Sequence, residues 1–277
     1  MDITVNNIPP PCKLCGSSVD YRFSLPLVDG LVGRYFECRQ CHLLQSWHLD
    51  SFSSQALDDF YGKSQTLEED SGAAWRQYCI ATRLTQLRRL GAFPSGKSLR
   101  FLDYGGGSGF TTSFVIHRFG WTAYTFDAHS APAFSPQRLL RTWSEVVRNG
   151  PYDVVLATEV IEHLIRPREA LLALNGILAN DAHVYLTTGL YVPGACDANW
   201  NYLAPASGQH VCLYSMGAIQ EVARLLGASF AMQVGSDHEW LLARCPTSRF
   251  AGSSIALGMI ARVLRSAVSL GLSPRIA

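Results

Sequence analysis

Short apolar runs alternate with amphipathic segments along the second two thirds of the chain. Apolar residues recur at helical spacing in residues 110–119, 167–178 and 216–226. Runs typical of buried strands occupy residues 98–103, 121–126, 139–143, 151–157 and 183–188. Strands that alternate with helices form a parallel sheet covered on both faces. With a turn at 180–181 and a closing antiparallel pair at 230–234 and 240–243, the pattern predicts an α/β fold with a doubly wound, mostly parallel seven-stranded sheet.

The first 96 residues and the last 30 follow other patterns. Residues 19–23 and 34–38 alternate as short strands would, residues 51–72 are polar and acidic, and residues 75–90 have helical periodicity. No acidic residue follows Glu239, and residues 253–270 are typical of a basic amphipathic helix that packs on the domain, forms a dimer contact or touches a membrane surface. We therefore predict four segments: 1–50, a small N-terminal module; 51–96, a linker and helical lid; 97–247, the sheet domain; 248–277, a basic apolar tail.

Composition narrows the classes of partner. The chain has 277 residues with 48% hydrophobic and 16% charged residues, and its net charge is +1. A net charge this small gives the protein no strong electrostatic attraction to nucleic acid. It has no run of about 20 apolar residues for a membrane span, and residues 1–7 lack the basic start and apolar core of a signal peptide. We expect a cytoplasmic protein with reduced thiols, so its eight cysteines need a reason other than disulfides.

Four cysteines form two closely spaced pairs. Cys12 and Cys15 make one Cys-x-x-Cys turn, and Cys38 and Cys41 make the other about 20 residues later. Two such turns aim four thiolates at one ion and complete a tetrahedron, which predicts a zinc ribbon within residues 1–50. Four thiolates leave no open position for water, so this zinc is expected to be structural. The alternatives are a redox dithiol and a site in which His42 or His48 substitutes as a ligand. The other four cysteines are scattered, and we expect them to be buried small apolar side chains: Cys79, Cys196, Cys212 and Cys245.

A glycine-rich turn follows the first strand of the sheet domain. The apolar run ends at Asp103, and Gly105, Gly107 and Gly109 precede the helix at 110–119, with a further glycine at 106. Glycine permits a positive φ and lets a ligand lie against bare backbone. The next strand ends at Asp127, whose carboxylate suits a ribose diol. A nicotinamide dinucleotide site is a close relative of this pattern.

Carboxylates and imidazoles follow the fourth and fifth predicted strands. If Glu159 begins a helix, Glu162 and His163 share its face, and this set can hold a divalent ion. His210 lies in the loop after the fifth strand. Without a metal, Glu162 and His163 cap a helix and pack the site, and His210 or His163 is the natural base. Residues 199–205 contain a Trp, a Tyr and two Asn, a composition that suits a sugar acceptor or a packed capping loop.

The glycine turn and Asp127 resemble the first two motifs of class I S-adenosylmethionine (SAM) methyltransferases. The resemblance implies a Rossmann-like methyltransferase fold in which Asp103, Gly105, Gly107 and Gly109 hold the methionine end of SAM. It further implies that Asp127 binds the ribose, and Glu159 is expected in the same cofactor site. A helix before the sheet often lies over the cofactor in these enzymes, which makes Tyr61 and Tyr78 candidates for contacting it.

The Glu-x-x-Glu-His pattern is similar to the motif of metal-dependent O-methyltransferases. That resemblance implies that Glu159, Glu162, His163 and His210 bind Mg²⁺ or Mn²⁺, with Glu162, His163 and His210 as the catalytic set. The zinc module followed by a SAM domain resembles bacterial methyltransferases of saccharides and sugar nucleotides. It implies methyl transfer to a hydroxyl of a saccharide or related polyol. A sugar-nucleotide C-methyltransferase with a His or Tyr base, an RNA 2′-O-methyltransferase and a non-enzymatic scaffold are the alternatives.

Overall fold

The computed structural model describes residues 9–61, 71–93, 98–130, 133–235 and 238–245. Its main element is a seven-stranded sheet. With strands numbered in chain order over both sheets of the molecule, its members are β4 Arg100–Tyr104, β5 Thr122–Phe126, β6 Leu139–Leu140, β7 Tyr152–Thr158, β8 Leu178–Thr187, β10 Phe230–Gln233 and β11 Glu239–Ala243. Their order in the sheet is β10-β11-β8-β7-β4-β5-β6. Strands β4 to β8 are parallel, and β11 and β10 close the sheet antiparallel, so the predicted α/β fold is confirmed.

Helices cover both faces of this sheet. Strands β4 and β7 lie at its centre, and their side chains are buried on both faces, as parallel strands require. Helix α3 begins at the glycine turn and ends at Gly120, whose φ of +68° closes the helix. The helices are α1 Ser54–Tyr61, α2 Ser71–Arg89, α3 Phe110–Phe119, α4 Trp143–Asn149, α5 Pro167–Gly176 and α6 Met216–Leu225.

A second, four-stranded sheet contains the N-terminal module. Its strands are β1 Val19–Pro26, β2 Val32–Cys38, β3 Leu44–Gln45 and β9 Cys212–Leu213. They pair antiparallel in the order β1-β2-β3-β9. Strand β9 comes from within the predicted 97–247 segment, so the module's sheet is completed by the sheet domain. The four segment limits predicted from the sequence stay predictions.

Local details differ from the sequence pattern in four places. Residues 51–72 were expected to be a linker, yet α1 forms within them. Residues 139–143 give only the two-residue β6, because a capping box at Thr142 starts α4. Strand β8 begins at Leu178, where a helix was expected to end. The expected turn at 180–181 lies within β8, as an irregularity where the pairing changes from Tyr152–Leu178 to Val154–His183.

Among the described residues, no helix is long and apolar enough to span a bilayer. The tail at 248–277, with its predicted amphipathic helix at 253–270, lies outside the described residues.

Candidate functional site

The glycine turn lies at the carboxyl end of β4. Gly105, Gly107 and Gly109 have φ values of +71°, +49° and +75°, a conformation that side chains with a Cβ rarely adopt. A Cβ on Gly105 would lie 2.5 Å from Cγ2 of Val160, so this position has no room for one. Gly109 ends the turn and precedes α3, whose first N–H groups point toward the turn. The turn therefore presents bare backbone at the site where a ligand was expected.

Asp103, the last buried residue of β4, has no partner of opposite charge among the residues that the structure describes. Its Oδ2 is buried and accepts no hydrogen bond from the described part of the chain. Burial, with a smaller effect of the Asp127 charge, raises the pKa of Asp103 to about 7. A buried carboxylate is stable only when it is paired or protonated. The amino group of SAM is a cation that would complete this site, so Asp103 fits the predicted cofactor.

Asp127 follows β5 and is held by backbone amides. Its Oδ1 accepts hydrogen bonds from the N–H groups of His129 (2.9 Å) and Ser130 (2.7 Å), and its Oδ2 accepts one from Gly107 (2.9 Å). A carboxylate offers about four lone-pair positions. Three of these positions accept backbone N–H groups, which leaves one lone pair to accept a hydrogen bond from a ribose hydroxyl. The same three hydrogen bonds fix the orientation of the carboxylate.

A cavity of about 390 Å³ lies between these groups and the loop after β7. It is lined by Gly105, Asp127, Glu159, His163 and Gln209, and by Leu57 and Tyr61 of α1. Tyr61 stacks on His129 with ring centroids 5.2 Å apart, and Asp58 of α1 lies 2.9 Å from His129 Nδ1. Helix α1 therefore covers the cavity. Tyr78, the other aromatic candidate, is 53% exposed and is not among the lining residues.

Glu162, His163 and His210 form a cluster that adjoins the cavity through His163. One potential ligand atom from each residue lies within 4.8 Å of the other two. Glu162 and His163 are on a 3₁₀ turn, Ile161–His163, and His210 comes from the loop before β9. The structure thus brings together the three residues predicted to be catalytic.

Glu159 is outside this cluster, and the expectation that it begins a helix is wrong. Its backbone has a φ of +51°, and the 3₁₀ turn begins only two residues later. Its Oε1 accepts from the Thr187 hydroxyl and its Oε2 from Tyr202, both at 2.8 Å. The structure therefore does not place Glu159 among the three candidate ligands, although its side chain lines the cofactor cavity.

Both imidazoles of the cluster are fixed in one tautomer. The Nδ1–H of His163 donates to the carbonyl of Gln209 (3.2 Å), and that of His210 donates to the carbonyl of Tyr202 (2.5 Å). Because a carbonyl can only accept, both Nε2 atoms keep their lone pairs. Burial lowers the pKa of His163 to about 3 and also lowers that of His210, so both rings are neutral. Neutral, oriented imidazoles suit a metal ligand or a proton acceptor.

Tyr202 joins the two glutamates. Its hydroxyl lies within hydrogen-bond distance of Glu159 Oε2 and of Glu162 Oε1. One phenolic proton can serve only one carboxylate, so the arrangement needs a second proton. Glu162 is fully buried, and burial, followed by the charge of Glu159, raises its pKa well above the ordinary value. Glu162 therefore carries that second proton when no cation is bound.

The four paired cysteines converge as expected. Cys12 and Cys41 have Sγ atoms 3.7 Å apart, those of Cys15 and Cys38 are 3.4 Å apart, and all four lie within 4.8 Å. Zinc–sulfur bonds of about 2.3 Å in a tetrahedron place sulfurs about 3.8 Å apart. The donor set therefore fits zinc.

The remaining four cysteines do not share one environment. Cys212 is buried, as expected for a small apolar side chain, whereas Cys79 and Cys245 are exposed and Cys196 is half-buried. The expectation of burial therefore holds for Cys212 alone.

Sequence reasoning missed Thr187 and the pairing of Asp58 with His129. Thr187 orients Glu159, and its position at the carboxyl end of β8 was an available signal, since such ends meet at the ligand site. The pairing of Asp58 with His129 had no local signal, because the two residues are 71 positions apart in the chain.

Comparison with known proteins agrees with this geometry. The family described as "Methyltransferase domain" matches residues 73–229, more than half of the chain. The order and direction of the strands define a Rossmann-like methyltransferase fold. The chain belongs to this methyltransferase family. No curated protein matches it.

Solved structures share the fold at low identity. The 1,6-didemethyltoxoflavin N1-methyltransferase of Burkholderia thailandensis, with S-adenosylhomocysteine bound, is 12% identical over 81% of this chain and 97% of its own, with a TM-score of 0.51. Magnesium protoporphyrin IX methyltransferase of Synechocystis is 16% identical over 71% and 97%, with a TM-score of 0.46. A Nostoc punctiforme protein of the O-methyltransferase type is 15% identical over 59% of this chain, with a TM-score of 0.45, and the match spans only 55% of its length.

Proposed function

We propose that the enzyme transfers a methyl group from SAM to a hydroxyl of a saccharide or a related small polyol. The observation that carries this proposal is the cluster of Glu162, His163 and His210 beside the cofactor cavity. His163 lines that cavity together with Gly105 and Asp127, so groups that act on a hydroxyl adjoin groups that fit SAM. Bound SAM supplies an electrophilic methyl group.

The cofactor is held by the edge of the sheet. Asp103 pairs with the amino group of the methionine end, and the backbone of Gly105, Gly107 and Gly109 allows close approach. Asp127 accepts a hydrogen bond from the ribose. Helix α1 covers part of the cavity with Leu57 and Tyr61, which shields the reacting groups from water. Orientation of the two reactants contributes much of the rate in such a transfer.

We propose further that Glu162, His163 and His210 hold a divalent cation. The unpartnered Oε2 of Glu162 and the two Nε2 lone pairs are a carboxylate and two imidazoles, a donor set that suits Mn²⁺ better than Mg²⁺. Anchored Nδ1–H groups are typical of histidine ligands. Cation binding would displace the proton of Glu162. A bound cation supplies the charge that lowers the pKa of the acceptor hydroxyl.

The alternative is metal-free proton transfer. The lone pair on Nε2 of His210 would then accept the acceptor's proton, with Tyr202 nearby, their rings 4.7 Å apart. This chemistry also serves sugar C-methylation. The low pKa of both imidazoles makes them weak bases, which favours the cation.

The loop at 199–205 supports a saccharide acceptor. Trp200 lies between Tyr191 and Tyr202, with centroid distances of 6.1 and 5.4 Å. Asn199 and Asn201 flank it and are exposed. An aromatic face beside amide groups matches the apolar faces and hydroxyl edges of a sugar. A structural zinc in the four-cysteine site and a cytoplasmic, reducing location complete the proposal.

The test is transfer of labelled methyl groups from SAM to a panel of sugar nucleotides, free glycans, phenols and RNA. Transfer to sugar hydroxyls that is lost with EDTA and restored by Mn²⁺ is the expected result. Transfer that EDTA does not affect would contradict the proposed role of a cation. Transfer only to a sugar carbon, to phenols or to RNA would contradict the proposed polyol acceptor. Glu162→Gln should abolish Mn²⁺ binding measured by electron paramagnetic resonance. Glu169→Gln, at a 72% exposed glutamate of α5, is the matched control.

A further inference from the structure

The loop that carries His210 runs directly into the sheet of the N-terminal module. Strand β9 begins two residues after His210, and it pairs with β3 through Leu44–Leu213 and Gln45–Cys212. The first hydrogen bond beyond this pairing joins the N–H of Ser46 to the carbonyl of Val211 at 2.9 Å. The module therefore fixes the backbone immediately next to His210.

Val211 connects this contact to Glu162. Its carbonyl accepts from Ser46, and its own N–H donates to the carbonyl of Glu162 at 2.9 Å. A displacement of β3 would therefore move the backbone of Glu162 and His210 together. Two members of the candidate cluster thus depend on one residue that the module holds.

His48 holds the other end of the same loop. It is largely buried, and its Nε2–H donates to the carbonyl of Gly208 at 2.8 Å while its Nδ1 accepts from the Ser46 hydroxyl at 2.9 Å. Gly208 has a φ of +64° and precedes Gln209 and His210. His48 thus fixes the turn from which His210 projects.

The cysteine turns themselves contact the sheet domain. The hydroxyl of Ser215, which caps α6, donates to the carbonyl of Cys41 at 2.7 Å. Arg168 of α5 donates to the carbonyl of Leu14, between Cys12 and Cys15, at 3.1 Å. An ion that locks the two turns would therefore also lock their position against α5 and α6.

The cofactor site is supported differently. The amides that hold Asp127 belong to residues 107, 129 and 130, and the N–H of Gly105 donates to the carbonyl of Phe126 at 2.7 Å. These contacts stay within the unit formed by β4, α3 and β5.

We infer that the four-cysteine module is a positioning element of the transfer site: zinc in its cysteines fixes Glu162 and His210 through Ser46, Val211 and His48. The inference rests on the proposed function only in assigning transfer to Glu162 and His210. It predicts that damage to the module loosens the transfer loop and spares SAM binding.

The experiment measures amide hydrogen exchange of the full-length, zinc-loaded protein by mass spectrometry. It compares peptides that cover residues 206–214 and 101–112, and calorimetry with S-adenosylhomocysteine runs in parallel. His48→Phe removes the donor to Gly208, and His48→Gln keeps an amide donor. Arg39→Ala is the control, because the side chain of Arg39, in the second cysteine turn, makes an exposed ion pair with Asp20 of β1 and no other side-chain hydrogen bond or ion pair with the described residues.

We expect His48→Phe to speed exchange in residues 206–214 about tenfold and to leave residues 101–112, the zinc content and the affinity for S-adenosylhomocysteine unchanged. His48→Gln should restore part of the protection, and Arg39→Ala should match the parent. Chelation of zinc should reproduce the effect of His48→Phe.

Two results would overturn the inference. Unchanged exchange in residues 206–214 of His48→Phe would show that the module does not hold the loop. Equal loss of protection in both peptides on chelation would show that zinc stabilises the whole fold. Failure of the proposed function would be visible separately, as no binding of S-adenosylhomocysteine by the parent protein.

Discussion

The cofactor region and the transfer region are built in different ways. The cofactor region lies within one continuous unit, residues 103–130, in which a strand, a turn, a helix and a second strand hold one another. The transfer region joins residues that are far apart in the chain: the contacting pairs Tyr35 with His210 and His48 with Gly208 are 175 and 160 residues apart. Local sequence can specify the first region, whereas only the complete fold can form the second.

The two regions also differ in how they treat buried charge. The buried carboxylate of Asp103 has no hydrogen-bond partner at Oδ2 among the described residues, and a cationic group of the ligand would pair with it. The carboxyl group of Glu162 is instead linked to Glu159 through the hydroxyl of Tyr202. Loss of the cofactor group should therefore leave the transfer cluster intact, and loss of the cluster should leave cofactor binding intact. The following variants test this separation, from the largest effect to the smallest.

Gly105→Val should abolish SAM binding. The added Cβ meets Val160 at 2.5 Å, and a φ of +71° costs an L-residue about 1–2 kcal/mol. We expect the affinity for SAM to fall more than about 100-fold, which corresponds to at least 2.7 kcal/mol. Calorimetry measures the affinity, and thermal denaturation confirms that the variant is folded.

Gly120→Val is the matched control for this variant. Gly120 has a similar φ of +68° at the end of α3, but a Cβ there meets nothing within 4 Å. Gly120→Val should lower the free energy of unfolding through backbone strain, and it should still bind SAM. Equal loss of binding in both variants would contradict the assignment of the glycine turn.

Asp103→Asn should weaken SAM binding and stabilise the free protein at pH 8. Removal of one partner of a buried ion pair costs about 3–5 kcal/mol, so we expect a loss of a hundredfold or more in affinity. The free protein no longer has to bury an ionised carboxylate without a partner. Its Tm at pH 8 should therefore exceed that of the parent, and a lower Tm would contradict this account of Asp103.

The pH dependence of the parent follows from the same group. The pKa of Asp103 rises from 3.8 in the unfolded chain to about 7 in the folded one. Between these values the folded state keeps a proton that the unfolded state has released, so the contribution of Asp103 to stability falls as pH rises from 4 to 7. The Tm difference between Asp103→Asn and the parent should shrink toward pH 4. Affinity for SAM should fall about tenfold per pH unit below 7, because only the ionised form pairs with a cation.

These differences explain what the sequence could predict. The alternation of apolar runs and helical segments predicted the seven strands of the main sheet and their mostly parallel arrangement, because each element is coded by its own period. Asp103, the glycines and Asp127 were recognisable because their geometry depends on a few neighbouring residues. The paired cysteines were recognisable for the same reason.

The transfer region was less predictable because its geometry is non-local. Glu159 was expected on a helix with Glu162, but hydrogen bonds from Thr187 and Tyr202 hold it in a left-handed conformation. Helix α1 was missed because its stability depends on packing over the cavity, with Phe60 buried. The pairing of β9 with β3 joins residues 44 and 213, and no local pattern encodes it.

Tyr202→Phe should affect transfer more than binding. The change removes the hydroxyl that contacts both Glu159 and Glu162, so we expect a loss of about 1–3 kcal/mol in the free energy of unfolding. Methyl transfer should fall about 100-fold if the proton arrangement matters to catalysis, whereas the affinity for SAM should change less than about threefold.

Tyr185→Phe is the control for Tyr202. Tyr185 lies on β8, and its hydroxyl also donates to a glutamate, Glu239 of β11, at 2.7 Å. A similar loss of stability with normal transfer is expected. Equal losses of transfer in the two variants would indicate a general structural effect and would remove Tyr202 from the transfer region.

The smallest effect is expected at the cover of the cofactor cavity. Asp58 is 54% exposed and His129 35% exposed, and a polar contact with this exposure contributes about 0–1 kcal/mol. Asp58→Asn should therefore weaken SAM binding by less than about fivefold, which corresponds to 1 kcal/mol. Where His129 is protonated, high salt should weaken the parent to the same extent and leave the variant unchanged, because salt screens exposed charges. A larger loss in Asp58→Asn that salt does not reproduce would show that α1 is held as firmly as the glycine turn, and the cofactor region would then depend, like the transfer region, on distant parts of the chain.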